Sequence, residues 1–146
     1  LEALVYGRRV ANDIAARVPE GAAERGAGLV VLPELPVAET PDPALIARLR
    51  RAMTDGVGVV RTAAGLRRAL AEIAAIEAAH PSAIDLVNMT ATATLIAAAA
   101  LTRQESRGAQ FRSDFPTAQG ATGIRSRLTF TDALAIRTDA AKETAQ

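Results

Sequence analysis

The feature that most constrains the fold is MTATATLIAAAAL at positions 89–101, thirteen consecutive residues without a charge. A helix needs about 20 apolar residues to cross the hydrocarbon core of a bilayer, so this stretch is too short for a membrane span. Its threonines can donate hydroxyl hydrogen bonds to carbonyls of the preceding turn, which makes them tolerable inside a buried helix. The stretch therefore predicts the middle of a long helix, about 83–105, that is surrounded by protein.

Two shorter helices are predicted directly before this long helix. Asp42 can cap a helix that has Pro43 in its first turn, and Thr62 can cap a second helix over 63–79. Both segments have apolar residues at helical spacing. The first apolar stripe consists of Leu45, Ile46, Leu49, Met53, Val57 and Val60; the second consists of Leu66, Leu70, Ile73 and Ile76, with Arg67, Arg68, Glu72 and Glu77 facing outward.

Together these elements predict an all-α fold. Ser82 followed by Asp85 resembles a capping box at the start of the long helix. Three helices with short connections form an up-down-up three-helix bundle over 44–116, in which we expect the long helix to be the central rod. Residues 117–146 are predicted to be an extended tail, with one short strand at most.

One amphipathic helix is predicted ahead of the bundle, over 1–18, and Pro19 stops it. Residues 19–43 are rich in Gly, Pro and Glu, which is typical of a flexible linker. Leu1 is not a natural start residue, and the helical pattern is already in register there. We therefore expect a processed chain or a piece of a longer one.

Charge and composition exclude several kinds of site. The 17 basic and 16 acidic residues give a net charge of +1, so no overall field would recruit nucleic acid or an anionic membrane. The chain has no cysteine, which fits a reducing cytoplasm and removes thiol chemistry, and its one histidine, His80, cannot build a metal site or a catalytic triad. We expect a cytoplasmic protein without a signal peptide, a membrane span, a metal site or a catalytic residue of its own.

The long helix runs into a charged stretch, RQESRGAQFRSDFP at positions 103–116. The C-terminus of a helix carries a partial negative charge and unsatisfied carbonyls, so cations are favoured there by about 0.3–1 kcal/mol each. Arg103 and Arg107 are the side chains at the predicted helix end. Arg112 and Asp114 are predicted to form a loop ion pair, which contributes little if it is exposed.

This stretch resembles the ESRGAH-x-R-x-DFP element of the flavoprotein subunits of succinate dehydrogenase and fumarate reductase and of L-aspartate oxidases. The matching residues are Glu105, Ser106, Arg107, Gly108, Ala109, Arg112, Asp114, Phe115 and Pro116. The opening LEALVYGRRVANDIA resembles the segment that ends the flavin domain in this family. Between them, LRRAMTDGVGVVRTAAGLRRALAEI is similar to the C-terminal domain, particularly to the Met-x3-Val-Gly-x-Val-Arg-Thr phrase of the aspartate oxidases.

The resemblance implies a role for six residues. In the complete family members Leu1 and Glu2 would lie beside the flavin, and Arg107, Gly108, Gln110 and Arg112 would be interdomain residues. Gln110 replaces the histidine that the family has there, so a charge switch at this position is excluded, whereas a packing role is retained. The family binds FAD through an upstream Gly-rich strand-turn-helix, and no G-x-G-x-x-G occurs here.

The implied function is that of the C-terminal helical domain of an FAD-dependent L-aspartate oxidase, which converts L-aspartate to iminoaspartate in NAD biosynthesis. The chain would brace the missing FAD-binding and capping domains and would be inactive alone, with no cofactor of its own. The same domain of a succinate dehydrogenase or fumarate reductase flavoprotein is an alternative. A third, non-enzymatic hypothesis is a helical module that associates with a partner or a second copy through the apolar face of its first helix.

Overall fold

The computed structural model describes residues 2–17 and 39–144, and the chain divides into two units, 1–35 and 36–146. The first unit contains α1 (Glu2–Arg17), so the helix predicted over 1–18 is confirmed from Glu2 onward. Most of the predicted linker, 19–43, lies outside the described residues. Within residues 39–144 the second unit contains four helices and two short strands: α2 (Pro43–Val57), β1 (Val60–Arg61), α3 (Ala63–Ala79), α4 (Ile84–Thr102), β2 (Phe111–Arg112) and α5 (Phe130–Thr144).

Two of the predicted helix starts are confirmed by their caps. The Asp42 side chain accepts a hydrogen bond from the Ala44 N–H at 2.8 Å, with Pro43 in the first turn of α2. The Thr62 side chain accepts from the Gly65 N–H at 3.0 Å and caps α3. These short polar side chains satisfy N–H groups that have no partner within their helices.

The capping box predicted at Ser82 and Asp85 is wrong. The N-cap of α4 is Ala83, which has no side-chain cap, because the Ser82 hydroxyl instead donates to Glu39 at 2.6 Å. The same carboxylate contacts Nε2 of His80, the C-cap residue of α3, at 2.8 Å. The turn between α3 and α4 is therefore held by Glu39, from the segment that precedes α2.

The central helix of the second unit is α3 rather than α4, because α3 packs extensively against α2, α4 and α5. Four of its apolar side chains, Leu66, Leu70, Ile73 and Ile76, are completely buried. By length and hydropathy α4 could cross a membrane. Its buried positions include Thr90, Thr94 and several alanines, which pack against the neighbouring helices. Ile84 and Ile96 are exposed, so the prediction that this helix is surrounded by protein is wrong for one of its faces.

The predicted extended tail over 117–146 is wrong, because residues 130–144 form α5. This helix packs on α3 and α4, so the bundle has four helices instead of three. A reciprocal capping box begins α5: the Thr129 N–H donates to the Asp132 carboxylate at 3.0 Å, and the Asp132 N–H donates to the Thr129 hydroxyl at 3.2 Å. This pattern starts the helix although its apolar residues are few.

A partly buried polar network attaches α5 to the bundle. The Arg137 guanidinium donates to both oxygens of Glu77 on α3, at 2.9 and 3.0 Å, and to the Thr94 hydroxyl of α4 at 3.0 Å. The Thr90 hydroxyl donates to the same carboxylate at 2.7 Å. The prediction that Glu77 faces outward is therefore wrong: it faces α5, and the Arg137 hydrogen bonds lower its pKa.

Replacing Thr129 by alanine is expected to lower the free energy of unfolding by about 1 kcal/mol, since an N-cap hydroxyl and its partner are lost together. The effect should begin locally, as faster hydrogen exchange over 130–136. Thr138→Ala is the matched control, because the Thr138 hydroxyl donates only to a carbonyl of its own helix, that of Leu134. Equal effects of the two substitutions on exchange at the start of α5 would contradict the assigned cap.

Candidate functional site

The charged loop 103–123 lies at one end of the bundle, which we call the loop end, where α2 and α4 finish and α3 begins. Two-residue strands β1 and β2 join in parallel there, with Val60 opposite Phe111 and Arg61 opposite Arg112. Strand residues alternate between the two faces of a sheet. Accordingly Val60 and Phe111 are exposed, whereas Arg61 is half-buried and Arg112 is buried.

Arg112 caps the C-terminus of α4. Its side chain is 1% exposed, and its Nη1 donates to the carbonyls of Ala100 at 2.9 Å, Leu101 at 3.1 Å and Arg103 at 3.3 Å. The guanidinium also lies over the Phe115 ring, 5.1 Å from its centroid. Arg112 is thus the cation that stabilises the negative end of α4, although it lies nine or more residues after the carbonyls that it contacts.

Arg61 does the same for α2. Its Nε donates to the carbonyls of Val57 at 3.1 Å and Gly58 at 2.9 Å. Its Nη1 donates to the side-chain oxygen of Gln110, whose amide nitrogen donates at 3.4 Å to the carbonyls of Ala100 and Arg103. Gln110 therefore connects the two capped helix ends, because an amide supplies an acceptor and a donor at once.

Asp114 connects Arg112 to the start of α3. Its carboxylate accepts from Nε and Nη2 of Arg112, each at 2.8 Å, and from the Ala63 N–H at 2.8 Å. The Arg112 guanidinium, with help from the Ala63 N–H, holds the pKa of Asp114 far below its usual range. The predicted ion pair of Arg112 and Asp114 is confirmed, but its arginine is buried and the pair joins two helix ends of opposite polarity.

A second cluster is centred on Glu105, which is almost buried. Its carboxylate accepts from the Gln119 N–H at 3.0 Å, from Nε of Arg107 at 3.1 Å, and from Nε and Nη2 of Arg103 at 3.1 and 3.0 Å. The Gln119 N–H is the largest cause that lowers the Glu105 pKa, followed among the favourable contacts by Arg107 and Arg103. Arg103 and Arg107 therefore neutralise a buried carboxylate instead of capping α4 as predicted.

Gly108 makes the reversal that brings Arg112 back to α4. Arg107 and Gln110 exchange two backbone hydrogen bonds, at 2.8 and 3.1 Å, around a two-residue turn. Gly108 has φ of +59°, and a positive φ at the first central position is the requirement of a type II′ turn. The Ser106 hydroxyl donates to the Phe115 carbonyl at 2.8 Å and accepts from the Arg112 N–H at 2.8 Å, which fixes the returning strand.

The charged side chains at the centre of the loop end are paired with one another: Arg112 with Asp114, and Arg103 and Arg107 with Glu105. Within residues 2–17 and 39–144, every buried side-chain nitrogen and oxygen has a hydrogen-bond partner. The same ranges contain no group of three His, Cys, Asp or Glu residues that could hold a metal ion. Such a fully satisfied network makes a loop rigid.

The residues around β1 and α3 do not fit FAD. A dinucleotide cradle needs free N–H groups at a helix start that follows a strand. At the start of α3 the Ala63 N–H is bonded to Asp114 and the Gly65 N–H to the Thr62 hydroxyl. These N–H groups are therefore engaged by the chain itself.

The six residues singled out by resemblance divide in three ways. Leu1 lies outside the described residues, and Glu2 begins α1. Arg112 is buried and its guanidinium is bonded within its own unit, and its interdomain role stays a prediction. For Arg107, Gly108 and Gln110, which remain partly or fully exposed, the interdomain role stays a prediction.

The acid stability of the protein is expected to depend on Asp114. Because its folded pKa lies below that of an unfolded aspartate, about 3.9, its contribution is complete above that pH and is lost as the pH falls through the folded value. Asp114→Asn should therefore flatten the decline of unfolding free energy below pH 4. Chemical denaturation from pH 2 to 7 checks this, with Asp55→Asn as the control. An unchanged slope in Asp114→Asn would contradict the assignment.

Comparison with known proteins gives a consistent set of relatives. The family described as fumarate reductase flavoprotein C-term matches residues 80–144. L-aspartate oxidase of Rhodospirillum rubrum is 44% identical over 89% of the chain, and L-aspartate oxidase of Caulobacter vibrioides is 45% identical over 88%. One chain of the apo Mycobacterium smegmatis Sdh1 complex has 31% identity and a TM-score of 0.54 over 80% of the chain.

These matches cover only part of each relative. The chain spans 46% of the R. rubrum protein, 23% of the C. vibrioides protein and 24% of the Sdh1 chain. Within the chain itself, the aspartate oxidase matches extend over nearly all residues, including the segment ahead of α2.

Proposed function

The chain belongs to the succinate dehydrogenase and fumarate reductase flavoprotein family, as a C-terminal domain of the type found in L-aspartate oxidases, and from this we propose its function. It is the C-terminal helical domain of an FAD-dependent L-aspartate oxidase, which converts L-aspartate to iminoaspartate for NAD biosynthesis. The flavin and the groups that bind aspartate belong to the remainder of that protein.

The degree of identity supports the choice of L-aspartate oxidase within the family. Identity to the two oxidases is 44–45%, compared with 31% to the Sdh1 chain, over a similar share of the sequence. The same domain of a succinate dehydrogenase flavoprotein is the nearest alternative. It would be favoured if the complete protein oxidised succinate in preference to aspartate.

The role proposed for this domain is to support the neighbouring domains rather than to take part in the chemistry. The loop end is rigid because Arg61, Arg112 and Asp114 tie three helix ends together, so it can brace the FAD-binding and capping domains without itself rearranging. FAD, when bound to those domains, supplies the oxidation of the substrate. Residues 1–146 alone are proposed to be inactive, since the start of α3 is engaged by the chain itself and no G-x-G-x-x-G is present.

The test compares two purified proteins, residues 1–146 and the complete polypeptide from the source reading frame. The complete protein should contain flavin and produce hydrogen peroxide when L-aspartate is added, whereas residues 1–146 should contain no flavin and produce none. Succinate replaces aspartate in the control assay. Stoichiometric flavin in residues 1–146, or a complete protein that has no flavin, would contradict the proposal.

A non-enzymatic helical module remains the second candidate because of α1. Its side chains Leu4, Val5, Tyr6, Val10 and Ile14 are exposed. A second copy of the chain could cover such an apolar surface. Light scattering of residues 1–146 at rising concentration tests this candidate. A protein that stays monomeric would contradict it, whereas a dimer that the Ile14→Asp substitution abolishes would support it.

A further inference from the structure

The strand pair at the loop end has its polar side chains facing the core and its apolar side chains facing solvent, the reverse of the usual arrangement. In a sheet that lies on a protein core, the apolar side chains normally face the core and the polar ones face solvent. Here Arg61 and Arg112 face inward and cap two helices, while Val60 and Phe111, in register with each other, face outward. The exposed fractions are 61% for Val60 and 42% for Phe111.

Val59, the residue directly before β1, is also exposed, and its exposed fraction is 82%. We call Val59, Val60 and Phe111 the apolar face. Its backbone is held in place from both sides, because the Ser113 N–H donates to the Arg61 carbonyl at 2.9 Å and the Ser106 hydroxyl binds the Arg112 N–H. A preformed apolar surface loses little conformational entropy when a partner covers it.

The charged side chains of the loop are already hydrogen-bonded within the loop, so they are not the groups that would bind a partner. Arg103 and Arg107 are bonded to Glu105, and Arg107 also donates to the carbonyls of Gln119 and Gly120 at 2.8 and 2.9 Å. What the strand pair offers to a neighbour is therefore aliphatic and aromatic contact. Buried apolar anchors of this kind commonly form the centre of an interface.

Resting on the function proposed above, we propose that the apolar face is the surface on which the flavin-carrying part of the same polypeptide packs. The occupant is indicated by length: three quarters of the C. vibrioides oxidase and of the Sdh1 chain lie beyond the region that this chain covers. The alternative surface is the apolar groove between α2 and α4, about 730 Å³, which includes Met53, Met89 and Ile96.

The test uses substitutions that are harmless unless a neighbour is present. Val59→Asp and Val60→Thr change exposed side chains, so neither should alter the unfolding midpoint of residues 1–146. In the complete polypeptide the same substitutions place an unpaired charge or hydroxyl in a buried contact. We expect hydrogen exchange at 59–61 and 110–112 to increase about tenfold or more there. Ile96→Asp, at a 47% exposed position in the groove, is the matched control.

The outcomes separate this inference from the proposed function. Flavin content and aspartate-dependent peroxide of the unsubstituted complete protein report on the function, and their absence overturns both proposals. If that protein is active but exchange at the apolar face equals that of residues 1–146, only the interface is wrong. The interface is also overturned if Ile96→Asp has the larger effect, or if Val59→Asp destabilises residues 1–146 equally.

Discussion

Replacing Arg112 by methionine is expected to lower the free energy of unfolding by about 3 kcal/mol, the low end of the loss from breaking a buried ion pair, because the remaining partner, Asp114, is 31% exposed. Methionine fills a similar volume but donates no hydrogen bond. Three carbonyls at the end of α4 and the carboxylate of Asp114 would lose the hydrogen bonds that Arg112 donates to them. Urea denaturation followed by circular dichroism measures the change.

Two further variants make this result specific. Arg103→Met removes an arginine that is closer in sequence to α4 but is half-exposed and bonded to Glu105, so it should change stability far less. The double variant Arg112→Met/Asp114→Asn should lose less than the sum of its single substitutions, since residues in one network are coupled. Equal losses in Arg112→Met and Arg103→Met would mean that Arg112 does not cap α4.

Replacing Gly56 by alanine is expected to cost about 1–3 kcal/mol, the usual penalty for overpacking a close contact. A β-carbon at Gly56 would lie 2.7 Å from the Gly65 carbonyl oxygen and 2.8 Å from the Ala69 β-carbon. Both atoms belong to the first turns of α3, and the backbone cannot yield as a flexible side chain would. The two helices must separate where they cross, although alanine is the better helix former.

Gly7→Ala is the control for this prediction. A β-carbon at Gly7 meets nothing within 4 Å, so this substitution should raise the helical content of α1 slightly and leave the bundle unchanged. Thermal unfolding of both variants provides the measurement. A Gly56→Ala protein as stable as the unsubstituted one would show that α2 and α3 do not approach each other this closely.

The bundle up to α4 could be predicted because its signals are local. Asp42, Pro43 and Thr62 mark helix starts through their own backbone contacts, and apolar spacing sets the inward faces. The prediction is wrong for Val60, which lies in β1 and is exposed. The sequence pattern extends the helix to residue 105, three residues beyond the observed end of α4 at Thr102, and therefore predicts that Arg103 and Arg107 lie near its carbonyls. The need for a cation there was predicted correctly, but the residue that supplies it depends on the Gly108 turn.

The strands and α5 could not be predicted for different reasons. Two-residue strands show no periodicity, and β1 pairs with a segment about 50 residues away. Residues 130–144 have few large apolar side chains, so their spacing did not indicate a helix. The Thr129-x-x-Asp132 pattern was the available signal, whereas the similar Ser82-x-x-Asp85 pattern was misleading because Glu39 engages Ser82.

The inversion of the strand pair explains why the loop residues were difficult to assign. Sequence reasoning treats arginines as exposed and valines as buried, but the helix ends draw Arg61 and Arg112 inward. Arg61 and Glu105 were accordingly missed as members of the site. A signal that could have identified Arg61 was its place four residues after the end of α2, where a cation is favoured.

Anaerobic addition of L-aspartate to the complete polypeptide, followed by its visible flavin spectrum, tests the central claim most directly. The proposed function predicts a bound oxidised flavin that aspartate bleaches and succinate leaves largely unchanged. A protein without flavin, or a flavin bleached by succinate alone, would contradict the assignment of this chain to an L-aspartate oxidase.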